Sequence, residues 1–80
     1  MDVMPKLPDY PRKYSRWIHV KSGHTYMVMG LAWEEKSLLP VVIYQRYELG
    51  PNHQGPGFMD NSVWTRPLTE FLDGRFLARD

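Results

Sequence analysis

Cysteine is absent from the 80-residue chain, so neither a disulfide nor a zinc site with thiolate ligands can reinforce the fold. No apolar run approaches the ~20 residues that a membrane-spanning helix needs. The N-terminal stretch MDVMPKLPDYPRKY lacks the apolar centre of a signal peptide. The net charge of +1 is too small to indicate nucleic-acid binding by itself. We therefore expect a cytoplasmic protein with no membrane contact.

The chain is rich in aromatic side chains. A domain of this size buries only roughly 60% of the surface that its unfolded form exposes. Three Trp, five Tyr and three Phe compensate, since each can bury roughly 150–250 Å². Stability must therefore come from an aromatic core or from association with a second copy of the chain.

Three prolines, Pro5, Pro8 and Pro11, punctuate the N-terminal region. Proline removes a backbone donor and disfavours helix in the residue before it. We expect residues 1–13 to form an extended or disordered arm and residues 14–80 to form one domain. The arm could bind a partner. We favour the other interpretation, in which it lies on the domain or in solvent.

The remaining residues have the pattern of a small β protein. Strands are predicted over 16–21, 25–33, 39–49 and 62–66, and a last short strand over 75–78. On strand 25–33, strict alternation puts one apolar set on each face: Tyr26, Val28, Gly30 and Ala32 against Met27, Met29, Leu31 and Trp33. Such a strand is central in a strongly bent sheet, with a bend expected at Gly30, or it covers a homodimer contact.

At Pro67 the spacing of apolar residues changes from that of a strand to that of a helix. Leu68, Phe71 and Leu72 follow at the i, i+3 and i+4 spacing of one helical turn, which Asp73-Gly74 ends. The stretch 50–61 is predicted to be a long loop because it is rich in glycine and proline. Together these elements predict a small SH3-like barrel of four to five short strands, with one helical turn before the last strand. Four large side chains are expected to be mainly core: Trp64, Leu68, Phe71 and Phe76.

Three stretches resemble the domain-of-unknown-function family 1653 of small bacterial and phage proteins: HVKSGHTYMVMGLA (19–32), VVIYQ (41–45) and VWTRPLTEFLDGRF (63–76). The resemblance covers about residues 16–77, and its ending is the most specific part. It implies one compact β-rich domain with no established activity, and weakly favours a role with nucleotides or nucleic acid. The chain departs from the family pattern at Trp33-Glu34-Glu35-Lys36 and in the longer 50–61 stretch.

No catalytic or metal-binding set is evident. His19 and His24 lie at an odd separation, so a continuous strand would place them on opposite faces, and no cysteine accompanies them. The adjacent Glu34 and Glu35 are expected to point apart, unlike a glycosidase pair. No nucleophile elbow or phosphate loop is present. We expect a protein that is not an enzyme and needs no metal or cofactor.

Arg66 is the most distinctive polar residue, because it follows Trp64 and precedes Pro67 at the end of a strand. A guanidinium suits carboxylate or phosphate. Two roles are open. Arg66 could bind an anion beside Tyr26, Tyr44 or Arg46, or it could fix the helical turn through hydrogen bonds to carbonyls or an ion pair with Glu70 or Asp73. We favour the second.

An aromatic and basic set indicates how such a domain could bind. Single-stranded nucleic acid stacks its bases on aromatic rings beside cations. A small barrel also needs such rings to fill its core, and we favour core filling for any single ring. The candidate ligand-binding residues are Arg16, Trp17, Tyr26, Tyr44, Arg46, Arg66 and His53. We expect a binding module for a nucleotide or nucleic acid. The alternative is a bacterial or phage factor that binds and inhibits or modulates a host protein, using the proline-rich arm and exposed aromatics.

Overall fold

The computed structural model describes residues 6–49 and 56–79. Within these residues, five strands form one antiparallel sheet with the order β4-β3-β2-β1-β5. A short helix, α1 (Leu68–Glu70), runs directly into a π-helical turn (Phe71–Arg75) between the last two strands. The strands are β1 (Arg16–His19), β2 (Thr25–Trp33), β3 (Pro40–Leu49), β4 (Pro56–Pro67) and β5 (Phe76–Arg79).

The order of the strands confirms the predicted fold class. The first four strands form a meander, and β5 returns to pair with β1, so β4 and β5 lie at the two ends of the sheet order. Helix α1 and the π-turn connect these two ends, as a helical turn before the last strand does in SH3-like barrels. No helix within residues 6–49 and 56–79 is long and apolar enough to cross a membrane.

Strand β4 is longer than the sequence indicated. The predicted loop 50–61 is wrong in its second half, because β4 already begins at Pro56 and runs for 12 residues. Proline is tolerated as the first residue of an edge strand, where its missing donor breaks no ladder. The remaining residues of that stretch, including His53, lie outside the described residues.

A β-bulge interrupts β2 at the position where a bend was expected. Val28 lies opposite Tyr44 and Gly30 lies opposite Ile43, which leaves Met29 as the extra residue. One extra residue reverses the alternation beyond it. Leu31 therefore joins Val28 on the core face, so the face assignment predicted for the second half of the strand is wrong.

The core consists mainly of aromatic rings on the inner face of the curved sheet. Its buried members are Trp17, Val28, Val42, Tyr44, Phe71 and Phe76. Phe71 comes from the π-turn and stacks on Phe76, with ring centroids 4.4 Å apart. Leu68 packs against this cluster, which confirms the core prediction for the helical turn.

Trp64 departs from that prediction, since 52% of its surface is exposed. It lies opposite Tyr44 on the edge strand β4. Phe71 from the helical turn packs on the Tyr44 ring, with centroids 5.5 Å apart. The closing turn thus buries Tyr44 and leaves the neighbouring indole open.

Part of the predicted N-terminal arm packs on the domain. Pro11 is among the fully buried side chains. The ring of Tyr10 meets Trp17 edge-on, with centroids 5.7 Å apart. The arm residues 10 and 11 therefore cover the edge of the aromatic core.

Phe71→Ala is expected to lower the free energy of unfolding by about 3–5 kcal/mol, the usual cost of removing a fully buried ring. Leu72→Ala is the matched control, because Leu72 follows in the same turn but is exposed; it should cost less than about 1 kcal/mol. Urea denaturation followed by circular dichroism measures both. Equal midpoints for the two variants would contradict the assignment of Phe71 as the core residue of the turn.

Candidate functional site

An open pocket of about 220 Å³ lies on the inner face of the sheet. Every strand contributes to it: His19 from β1, Tyr26 from β2, Tyr44 from β3, Trp64 and Arg66 from β4, and Phe76 from β5. The register explains this convergence, because Tyr44 lies opposite Trp64 and His19 lies opposite Phe76. Directly opposed side chains share one face of a sheet. The pocket is therefore lined by aromatic rings and one guanidinium group.

Edge-to-face packing fixes the floor of the pocket. The Tyr26 ring is perpendicular to Tyr44, with centroids 5.3 Å apart, and also meets the edge of Phe76 at 6.0 Å. Tyr44 and Phe76 are themselves buried in the core. Such contacts add about 0.5–1.5 kcal/mol each beyond area burial. The floor is consequently as rigid as the core, whereas the Trp64 indole forms an exposed wall.

Arg66 is held by three contacts at the rim of the pocket. Its Nε donates to Tyr44 Oη at 3.5 Å, its Nη1 lies 3.4 Å from Glu70 Oε1, and its guanidinium carbon lies 5.7 Å from the centre of the Phe76 ring. The hydrogen bond to Tyr44, with the nearby acidic groups, raises the pKa of Arg66 further above its already high value, against the effect of burial. Arg66 is therefore a permanent cation. The ion pair with Glu70 is the structural role that we favoured, and it coexists with a place in the pocket.

A larger open groove of about 710 Å³ continues from the pocket. His19 and Arg66 line both spaces, and the groove adds Val20, Lys21, Asp73, Gly74 and Arg75. A backbone hydrogen bond from Val20 to the Arg75 carbonyl, at 3.0 Å, joins its two sides. The lining carries three cations and one carboxylate, so its formal charge is positive.

Glu70 links the two arginines of this groove. Its Oε1 lies 3.4 Å from Arg66 Nη1 and 3.1 Å from Arg75 Nη1. Arg75 Nε also lies 3.1 Å from Asp73 Oδ2. One carboxylate oxygen is thus shared by two guanidinium groups at the boundary between pocket and groove.

The turn after β1 orients the His19 ring. The Ser22 amide donates to His19 Nδ1 at 3.3 Å, and Ser22 Oγ lies 2.8 Å from the same atom. Because a backbone N–H can only donate, Nδ1 is the acceptor in the neutral ring and Nε2 carries the hydrogen. His19 therefore offers a donor to a ligand, which sequence analysis missed because it considered only metal binding.

The structure brings three of the seven sequence-predicted site residues together: Tyr26, Tyr44 and Arg66. Trp17 is only 5% exposed and lies in the core, where its Nε1 donates to Ser15 Oγ at 2.9 Å. Arg16 is exposed on the opposite face of β1, across from Met27. Neither lines the pocket, and His53 lies outside the described residues. Trp64, which was assigned to the core, lines the pocket instead.

Arg46, the seventh candidate, belongs to a separate ion cluster. Its Nε and Nη2 both contact Glu48 Oε1. His24 Nδ1 lies 3.2 Å from that oxygen, and the Thr25 amide donates to Glu48 Oε2 at 3.2 Å. Burial alone would raise the pKa of Glu48, but the Thr25 amide and the Arg46 guanidinium outweigh it and lower the pKa. The cluster joins β2 to β3 and engages Arg46 within the fold.

Among residues 6–49 and 56–79, no group of three or more His, Asp or Glu side chains is placed to hold a metal ion. No family model, curated protein or solved structure matches this chain. The resemblance to family 1653 therefore remains a prediction from the quoted stretches.

The Glu48 cluster predicts a specific dependence of stability on pH. A carboxyl whose pKa is lowered by folding stabilises the folded state above its unfolded pKa of about 4.5, and this contribution is lost as the pH falls through the folded pKa. Glu48→Gln should cost roughly 1 kcal/mol at pH 7, and the difference from wild type should shrink as the pH falls below about 4.5.

Thermal unfolding across this pH range measures the effect. Glu35→Gln, which removes the same charge at an exposed site between β2 and β3, is the control and should be near neutral. A constant difference between Glu48→Gln and wild type at all pH values would show that the carboxylate does not act through its charge.

Proposed function

We propose that the protein is a non-enzymatic module that binds an anionic ligand with a planar ring, namely a nucleotide, free or at an accessible position of a single strand. One observation carries the proposal: the exposed Trp64 ring and the Arg66 guanidinium line the same pocket. An indole stacks on any nucleobase, and a guanidinium binds phosphate through paired donors.

The aromatic side of the pocket suits one base. Its volume of about 220 Å³ leaves room for a single flat ring system but not for an oligonucleotide. Tyr44 and Phe76 form a rigid floor, so little ordering is needed when a ligand binds. A base stacked on Trp64 would cover apolar surface that is exposed in the free protein, at a gain of about 1–3 kcal/mol.

The polar side of the site suits a sugar and a phosphate. The groove continues from the pocket past His19 and Arg66 to Lys21 and Arg75. Its volume of about 710 Å³ falls within the usual range for small-molecule sites. With so few cations, the site should engage about one to three phosphates, and its salt dependence should be shallow. The cytoplasm of a bacterium or of a phage-infected cell would supply such ligands.

A protein partner is the second candidate. The adjacent Leu38 and Leu39, in the connection between β2 and β3, are both exposed, as expected of a contact surface. The burial of Pro11 argues against docking through that part of the proline-rich arm. A second copy of the chain is the simplest such partner, and sedimentation at high concentration would detect the dimer.

Trp64→Ala is expected to weaken nucleotide binding about tenfold, because the stacking surface is lost. Val63→Ala is the matched control: Val63 is equally exposed on β4 but lies opposite Gln45, on the other face. Calorimetry at low and moderate salt would compare adenosine and uridine monophosphates with a short oligothymidylate.

Binding of the mononucleotides alone would identify a nucleotide sensor, and tighter binding of the oligonucleotide would identify a single-strand module. The proposed function would be contradicted if neither the mononucleotides nor the oligonucleotide bound at low salt. It would also be contradicted if Trp64→Ala and Val63→Ala lost the same amount of binding affinity.

A further inference from the structure

The shared oxygen of Glu70 marks a position where two guanidinium groups converge. Arg66 reaches it from the end of β4, and Arg75 reaches it from the end of the π-turn. Both arginines also line the groove. An anion placed between them would therefore occupy the place that the Glu70 carboxylate holds in the free protein.

The Glu70 carboxylate is partly open to water. Its side chain is 45% exposed, and those of its partners Arg66 and Arg75 are 28% and 50% exposed. Ion pairs this exposed contribute only about 0–1 kcal/mol, because water competes for both partners. Asp73 retains Arg75 through Nε, which leaves the Nη groups able to exchange one oxygen ligand for another. The two arginines are therefore held in place, while the Glu70 carboxylate between them is bound only weakly.

We propose that Arg66 and Arg75 form a phosphate subsite, and that Glu70 occupies it until the phosphate of the ligand displaces its carboxylate. The inference rests on the proposed function, because the phosphate belongs to the nucleotide whose base stacks on Trp64. It adds the ligand class: a terminal phosphomonoester. A phosphomonoester carries close to two negative charges at neutral pH, whereas an internal phosphodiester carries one and gains no charge over the carboxylate that it replaces.

Two further groups complete the subsite. Lys21 contributes a third cation along the groove. His19 lines both pocket and groove, and because its Nδ1 accepts from the Ser22 amide, its Nε2–H is the donor that remains for a ligand. A tetrahedral phosphate directs three oxygens toward guanidinium, ammonium and imidazole donors, whereas a carboxylate has two oxygens in one plane.

Glu70→Gln tests the displacement directly. Removal of the competing charge should tighten the binding of inorganic phosphate about fivefold, measured from the Nε–H resonances of Arg66 and Arg75 in an NMR titration. Glu35→Gln is the control, since it removes one exposed carboxylate away from the site and should change the affinity less than twofold. Unchanged or weaker phosphate binding in Glu70→Gln would overturn the proposal.

The wild-type protein provides a second test that does not depend on the stability of a variant. Adenosine 5′-monophosphate should bind about tenfold more tightly than its methyl ester, which carries one charge less, and the Glu70 carboxyl resonance should shift only with the monoester. Equal affinity for the two ligands would overturn the subsite.

The two proposals fail separately. If adenosine, adenosine 5′-monophosphate and its methyl ester all bind with the same affinity, the stacking pocket is supported and the phosphate subsite is contradicted. If inorganic phosphate moves the two arginine resonances but no nucleotide binds more tightly than phosphate, the subsite stands and the nucleotide function falls.

Discussion

The burial of the Phe71 ring is the constraint on which the rest of the structure depends. Among the described residues it is the largest fully buried side chain, and it stacks on Phe76 while meeting the edge of Trp17 at 5.1 Å. These contacts join the helical turn to β1 and β5. Phe71 in the turn and Phe76 at the start of β5 both lie in the core. The chain therefore reverses between them at Gly74, whose φ of 106° favours glycine.

The same reversal creates the rim of the candidate site. The residues on either side of the buried ring, Glu70 and Arg75, remain at the surface and meet there. The Asp73 carboxylate accepts a hydrogen bond from the Arg75 amide at 3.2 Å, which stabilises the turn. Arg66 approaches from β4 because Pro67 ends that strand immediately after it. A packing requirement in the core thus places two arginines within reach of one oxygen.

The helical turn and most of the sheet could be predicted from the sequence, because short-range patterns determine them. The spacing of Leu68 and Phe71 after Pro67 indicated the turn, and the bounds of β2 matched its β-branched and aromatic content. Gly30 indicated a bend in β2, but the extra residue at Met29 could not be predicted, since it depends on the register with β3. Strand alternation alone therefore assigned Leu31 to the wrong face.

The candidate site was only partly predictable for the same reason. The aromatic content identified Tyr26 and Tyr44, and the position of Arg66 between Trp64 and Pro67 singled it out. Whether a ring lines the pocket or fills the core depends on its exposure, which depends on where β4 lies in the sheet. Trp64 and Trp17 are both tryptophans within predicted strands, so the sequence does not distinguish them. Trp64 on the edge strand is exposed, whereas Trp17 on β1 is covered by Tyr10 and Phe71. Since the aromatic floor belongs to the core, its rings cannot be altered without loss of stability. Variation in ligand preference is therefore open mainly to rim residues such as Trp64 and Glu70, whose exposed side chains contribute little to the core.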